Sequence, residues 1–364
     1  VVVFSRTLTD IEIIEKELVK TKRPVVLLTG TMRGKERDEL VETDHFKRFL
    51  KGAARGETVY LLCTSAGEVG VDVSADHMVC DLSTFDSMAQ RFGRVNRYGE
   101  RDDTRIDVVH PEPESFGKKG KKTDELSELD ERRKKTLELL RQLTPLGDDQ
   151  YDASPLALSK LDADKRIAAY APTPEIPTAT DILFDAWALT SIRQPMPGRP
   201  EVEPYLHGIS PYESPQTQVA WREEVEVVTG ALLTEHPPRD LLDDYPLLPH
   251  ELLRDRSDRV FERLQAIAEK HPEAPVWVVK PGDQVRVKSL AQLAGPKSAR
   301  AQDKRRLIQD LENSTIVLPP SVGGLSSRGM LDPDSAKADD VADLLLDQDG
   351  RPRRQRIWDD QPEP

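Results

Sequence analysis

The first 110 residues alternate short β-branched runs with helical stretches, and that rhythm leaves few folds open. The runs lie at residues 1–5, 25–28, 59–64, 78–82 and 106–110, with helical spacing near 10–22, 34–54 and 85–97. Such alternation predicts a parallel sheet with helices on both faces and right-handed crossovers. Ligands of such a sheet bind in the loops at the carboxyl ends of its strands. Three polar stretches follow those ends: Ser5-Arg6-Thr7, Thr29-Gly30-Thr31 and Thr64-Ser65-Ala66-Gly67-Glu68.

Beyond residue 110 the texture changes. Residues 111–180 read as a Pro/Gly/Lys linker and a charge-laced helix over 123–143, with Leu126, Leu129, Leu137 and Leu140 as packing positions. Residues 181–331 read as a less regular α+β accessory region. Strands are expected at 218–228, 276–279, 285–287 and 315–317, and a helix at 249–269. From 332 to 364 the chain turns acidic and then Pro/Arg-rich, which predicts a disordered tail. Only 37% of the 364 residues are hydrophobic, so one well-made core with thinner accessory structure is expected.

Charge and cysteine usage exclude several classes. Residues 1–110 hold 17 Lys/Arg against 19 Asp/Glu, so most of the net −13 lies downstream. That argues against clinging to nucleic acid by bulk charge but leaves local phosphate-contacting loops open. No apolar run is long enough to span a membrane, and no export signal opens the chain. Cys63 and Cys80 cannot build a disulfide framework or a zinc site, which fits a reducing cytoplasm. No His precedes an Asp, and no metal site is evident. A chain that opens Val1-Val2-Val3-Phe4, without Met, reads as part of something longer.

Two stretches carry the chemistry. If residues 85–97 are one helix, Gln90, Arg94 and Arg97 share a face at i, i+4 and i+7. Phe85, Met88, Phe92 and Val95 then form the buried face. Two arginines one turn apart suit the clamping of a phosphoryl group, where an ordinary basic face would merely be solvated. Upstream, a strand ends in Thr64-Ser65, whose hydroxyls and backbone N–H groups can hold a phosphate. Gly67 and Gly70 allow a tight turn, and Asp72 can accept from a ribose hydroxyl.

The segments T-S-A-G-E-V-G-V-D (64–72) and Q-R-F-G-R-V-N-R-Y-G (90–99) resemble motifs V and VI of superfamily-two helicases. The ending G-R-V-N-R-Y-G more narrowly resembles the helicase–nuclease of type I CRISPR systems. Residues 2–7 resemble that family's motif IV, and 28–33 with Arg37 its motif IVa. Residues 205–208, 219–222 and 316–324 resemble the subtype called U or G. The resemblance implies a second RecA-like domain over residues 1–110. It implies that Arg94 and Arg97 contact the γ-phosphate of ATP, with Arg97 the preferred finger, and that Gln90 senses nucleotide. Gly70 and Asp72 match the motif V nucleotide contact. Ser5, Arg6, Thr31, Thr64 and Ser65, and less strongly Arg33, match positions that touch single-stranded DNA.

A complete motor also needs a phosphate-cradling G-x-x-x-x-G-K-[ST] loop and an acidic Mg²⁺ motif. Gly-Lys occurs at 34–35, 117–118 and 120–121, never in that loop, and no His-Asp nuclease dipeptide is present. ATP with Mg²⁺ is therefore expected to be held mainly by a first RecA-like domain of the same parent chain. The CRISPR surveillance complex is a further partner that the resemblance implies. The competing readings are another superfamily-two DNA or RNA helicase domain, or a non-catalytic module that binds nucleic acid or docks on a partner.

Overall fold

The computed structural model describes residues 1–53, 56–68, 70–112, 116, 127–192, 196–200, 202–208, 214–280 and 284–344. The chain divides into two compact units, one of Val1–Gly30 with Leu40–Thr173, the other of Thr31–Glu39 with Pro174–Pro364.

The first unit is built on five strands: β1 (Val2–Phe4), β2 (Val25–Leu28), β3 (Tyr60–Cys63), β4 (His77–Asp81) and β5 (Arg105–Val109). They form an all-parallel sheet in the order β2-β3-β1-β4-β5. This is a RecA-like α/β arrangement. Strand β1 is central, with Val2 and Phe4 fully enclosed. All five strands lie where the alternation puts them, because β-branched runs between helices have no other way to bury both faces.

Two helices differ from expectation. Residues 34–54 hold two short helices, Gly34–Leu40 and Asp44–Lys47, rather than one. Thr43 separates them: its extended backbone lets Oγ1 accept the Phe46 N–H at 3.3 Å while donating to the Leu40 carbonyl at 2.7 Å. The second difference is at the site and is taken up below. The unit also runs past residue 110. The helix Glu128–Leu140 buries Leu137 and Leu139, and Phe85 packs against Leu139 and Ala169. A hairpin of β6 (Pro145–Gly147) and β7 (Gln150–Tyr151) follows that helix. Leu126, expected to pack in that helix, lies outside the described residues.

The second unit carries β8 (Gln216–Trp221), β9 (Leu253–Arg256), β10 (Pro275–Lys280), β11 (Gln284–Ser289) and β12 (Thr315–Leu318) in a mixed sheet ordered β11-β10-β12-β8-β9. Alternation decides its two faces. Val219, Trp221, Val276, Val278, Ile316 and Leu318 meet the helix Ser257–Lys270 on one side. Ala220, Trp277 and Val317 face Val225 and Val228 on the other. The expected helix over 249–269 starts later, because residues 253–256 pair with β8 as β9.

Residues 31–39 fold with this unit. The N–H groups of Arg33 and Gly34 donate to the carbonyls of Gly329 and Leu252 at 2.7 and 3.1 Å. A Cβ on Gly34 would stand 2.3 Å from the Pro249 oxygen, so only glycine fits. Residues 332–344, expected to be disordered, are packed. Val341 and Ala342 are buried, and Asp340 accepts the Glu223 N–H at 2.9 Å. Residues 345–364 of that expected tail lie outside the described residues, as do most of the expected linker's residues 113–126.

Candidate nucleotide and nucleic-acid site

The site is assembled at the carboxyl ends of β1, β3 and β4. After β1, Ser5 is buried and its N–H donates to the Cys63 carbonyl at 3.0 Å. Arg6 follows, donating its backbone N–H and its Nε to Asp81 Oδ2 at 2.9 and 2.7 Å. After β3 the chain makes a tight turn over Ser65–Gly67, leaving Thr64 half-buried and Ser65 exposed. Gly70 is exposed with φ +82°, a backbone state that side chains resist, and Asp72 is exposed beyond it.

The helix that starts at Phe85 ends at Phe92, not at 97. Gly93 caps it, and Asn96 turns into the left-handed region at φ +46°. The Asn96 amide then clasps Arg101 in both directions, donating to its carbonyl at 2.7 Å and accepting its N–H at 3.1 Å. Val95 bridges to Ala75 outside the helix. The single helical stripe of Gln90, Arg94 and Arg97 is therefore corrected: Gln90 is on the helix, exposed, and both arginines are on the loop after it.

That loop nonetheless brings both arginines to the 64–72 turn. One Nη of Arg94 donates to the Glu68 carbonyl at 2.5 Å, while its Nε is buried without a partner. Burial, and then the nearby charge of Arg97, push the Arg94 pKa down from its ordinary value. Arg97 donates its Nε to Asp72 Oδ1 at 2.8 Å, and its N–H to Ser74 Oγ at 3.1 Å. Tyr98 OH reaches the other Asp72 oxygen at 3.3 Å, so the carboxylate read as a ribose contact is already engaged by two neighbours.

Beneath them lies a residue that sequence reasoning passed over. Arg91 is 2% exposed. Its Nε donates to Glu68 Oε1 at 2.8 Å, and one Nη donates to both the Asp81 carbonyl and Asp81 Oδ1. The guanidinium also lies 5.2 Å from the centre of the Phe4 ring. Arg6, Asp81, Arg91, Glu68 and Arg94 thus form one connected chain of polar contacts beneath the strand ends. Its only sequence trace is a charged residue one turn before Val95, on the side read as apolar.

Two other readings, Arg33 and Thr31, resolve differently. Arg33 is 1% exposed, held by Glu36 Oε2 at 2.7 Å and Asp339 Oδ1 at 2.7 Å, so its guanidinium is not presented to a nucleic acid. Thr31, like Arg33, belongs to the second unit. Burial pushes the Cys80 thiol up to about 12 and the Cys63 thiol up as well, leaving neither as a nucleophile near neutrality. Among the described residues no group of three His, Cys, Asp or Glu could hold a metal ion.

Residues 1–100 match the family model described as CRISPR-associated nuclease/helicase Cas3, C-terminal. Over these residues the chain is similar to a Cas3-type helicase C-terminal domain. The match takes in both arginine-bearing and serine-bearing loops of the site, and it stops before the second unit's own strands. Solved structures with similar folds include a crystal structure of a CRISPR-associated protein, 15% identical over 79% of this chain and 38% of that one, with TM-score 0.44. T. fusca Cas3 with AMPPNP is 14% identical over 70% and 32%, with TM-score 0.40. A CRISPR RNA-guided surveillance complex, pre-nicking, is 14% identical over 92% and 38%, with TM-score 0.41. The chain spans about a third of the length of each of these proteins. Among curated proteins none matches.

Proposed function

We propose that this chain is the second motor domain, with an accessory region, of an ATP-dependent DNA helicase of Cas3 type acting in CRISPR interference. The observation that carries the reading is the pair Arg94 and Arg97, held at the strand ends by the Glu68 carbonyl and Asp72 within the segment that matches the family. The unpaired Arg94 Nε and the outward Arg97 fit an anionic phosphate. On this reading ATP and its Mg²⁺ are held mainly by a first RecA-like domain of the parent protein. ATP with Mg²⁺ supplies the phosphoanhydride whose hydrolysis drives the motor. Arg97 leaves Asp72 to hold the terminal phosphate, and Arg94 keeps the loop in register through Glu68. Their charge contributes most as negative charge builds on the transferring phosphoryl. Thr64, Ser65 and Arg6 contact the backbone of single-stranded DNA at the same strand ends.

In the parent protein, Arg97→Ala should lower kcat for DNA-stimulated ATP hydrolysis by about 10³-fold with little change in KM. Arg97→Lys should recover little, because a point charge cannot reproduce the planar fork. Near-normal turnover in Arg97→Ala protein would remove the finger. Robust turnover by this chain alone would place the nucleotide site elsewhere.

A further inference from the structure

The chain is acidic overall, 52 basic residues against 65 acidic, yet residues 284–311 hold seven Lys/Arg and only two Asp. The fold gathers that excess on one side of the second sheet. β11 is an edge strand, and its Arg286 and Lys288 stand opposite Val278 and Val276 of β10, while Lys280 stands opposite Gln284. Directly opposed residues share a face, so these three cations lie on the side covered by the 257–270 helix. The helix Ala301–Leu311 packs on that same side through Leu307, Ile308 and Leu311, and the Lys280 ammonium donates to its Asp310 carbonyl. Its outer stripe is Gln302, Arg305, Arg306 and Gln309, at i, i+3, i+4 and i+7, all exposed.

What separates this patch from other arginines on the surface is the missing counter-charge. Arg101, Arg105 and Arg256 each pair with an aspartate two residues on, at 2.6 Å. Among the described residues no carboxylate pairs with Arg286, Lys288, Lys304, Arg305 or Arg306. Concentrated unpaired charge on an acidic protein costs self-repulsion unless an external anion relieves it. Amides beside guanidinium groups add neutral donors suited to phosphate and sugar oxygens.

We propose that this face of the accessory unit, with Arg305 and Arg306 at its centre and Arg286 and Lys288 on the same side of the sheet, is a second nucleic-acid contact that takes the phosphate backbone of single-stranded DNA. The choice of DNA among polyanions rests on the helicase reading above; the existence of the anion-binding face does not. Salt dependence is the decisive readout, since each phosphate contact to a single strand contributes about 0.7 to the slope of log affinity against log salt.

The test uses the whole chain and a fluorescein-labelled 20-nucleotide oligothymidylate, followed by anisotropy between 50 and 200 mM salt (roughly the range over which counterion release is resolved). Arg305→Gln/Arg306→Gln should bind at least ~10-fold more weakly, with the slope reduced by about 1.4. Arg305→Lys/Arg306→Lys should stay within about 3-fold of the unaltered chain, because backbone contact needs charge rather than a fork. The control Arg105→Gln/Arg256→Gln removes the same net charge from aspartate-paired positions and should change affinity by less than ~2-fold. Equal losses in the two Gln doubles would reduce the effect to net charge and overturn the proposal. So would an unchanged slope in Arg305→Gln/Arg306→Gln, or no salt-dependent binding by the unaltered chain at the lowest salt. Displacement of the oligonucleotide by inorganic polyphosphate with an undiminished slope would keep the face and overturn its assignment to DNA. None of these outcomes depends on ATP turnover, so failure here and failure of the finger assignment are separable.

Discussion

Arg6 and Arg222 each stand just beyond the carboxyl end of a strand, β1 in the first unit and β8 in the second. Arg222 is 3% exposed, and its donors are spent inside the protein. Two go to Glu251, at 2.8 and 2.9 Å, and others reach the Tyr245 and Pro246 carbonyls at 2.8 and 3.2 Å. Arg6 is 45% exposed and gives its Nε to Asp81 alone, with both Nη groups unbonded among the described residues. Residue type and topological place are the same; what differs is how much hydrogen-bonding capacity is left over. A saturated arginine holds its own fold together, and an unsaturated one at a strand end is available to a ligand. Arg33 and Arg91 fall with Arg222, while Arg97 falls with Arg6.

The contrast breaks first at Glu251. Glu251→Ala would leave the Arg222 guanidinium charged, buried and half-unpaired, which costs about 3–5 kcal/mol. Urea denaturation of the chain, followed by Trp221 and Trp277 fluorescence, should show the second unit's transition moved far to lower urea. A midpoint close to that of the unaltered chain would mean that burial does not commit Arg222 to structure. Arg91→Met should cost less, about 3 kcal/mol, because Glu68 keeps the Ser87 hydroxyl at 2.8 Å and Asp81 keeps Arg6. Its loss should also loosen the 64–72 turn, read as faster amide exchange at Glu68. Unchanged exchange with lowered stability would leave Arg91 a core residue with no hold on the site.

A third effect is smaller and depends on pH. Burial raises the Asp339 carboxyl, but hydrogen bonds from Arg33 and Lys35 outweigh it and hold its pKa below the ordinary 3.8. A carboxylate depressed on folding stabilises above its unfolded pKa, and that contribution disappears as pH falls through the lower folded value. Asp339 is 53% exposed, so screening keeps its contribution under about 1 kcal/mol. The unaltered chain should be more stable than Asp339→Asn near neutrality, and the two should converge as pH falls below the ordinary carboxylate range. A gap that persists undiminished in acid would assign the difference to packing instead.

Much of this was legible in the sequence, for stated reasons. Both sheets announced themselves through local pattern: β-branched runs between helices in the first unit, and short apolar runs at 276–279, 285–287 and 315–317 in the second. The strand expected over 218–228, by contrast, ends at Trp221 and gives way to a helix at Glu224–Val227. The arginine-bearing loop and the 64–72 turn were legible as motifs, since short-range residue order survives whatever the backbone does. Their geometry was not. Helical spacing runs smoothly through Gly93, and only the cap and the Asn96 clasp, a contact to Arg101, end the helix at Phe92. Arg33 and Arg91 were illegible for a different reason. Their burial rests on partners distant in sequence, Asp339 and Gly329 for one, Glu68 and Asp81 for the other. The packing of residues 332–344 was hidden likewise, in an acidic stretch whose order depends on the groups it meets.

The smallest expected effect sharpens the comparison most. Arg97 and Asp72 are 2.8 Å apart, no farther than Arg222 and Glu251, but their side chains are 41% and 67% exposed. Distance alone would rank the two pairs as equals. Solvent separates them: in high dielectric the Coulomb gain is modest, and holding two long side chains in one geometry consumes most of it. Arg97→Ala should therefore shift the urea midpoint of the first unit by no more than about 0.5 kcal/mol in stability. A double-mutant cycle with Asp72→Asn should give a coupling of about 0.5 kcal/mol or less, falling further in 0.5 M salt (well above the ~0.15 M at which screening is already short-ranged). Should Arg97→Ala fold normally and yet lose turnover, the side chain acts on a ligand rather than on the fold. A coupling of 2 kcal/mol or more (on the scale of about 3–5 for a buried pair) would place Arg97 beside Arg222, as a structural arginine on a loop that merely resembles a finger.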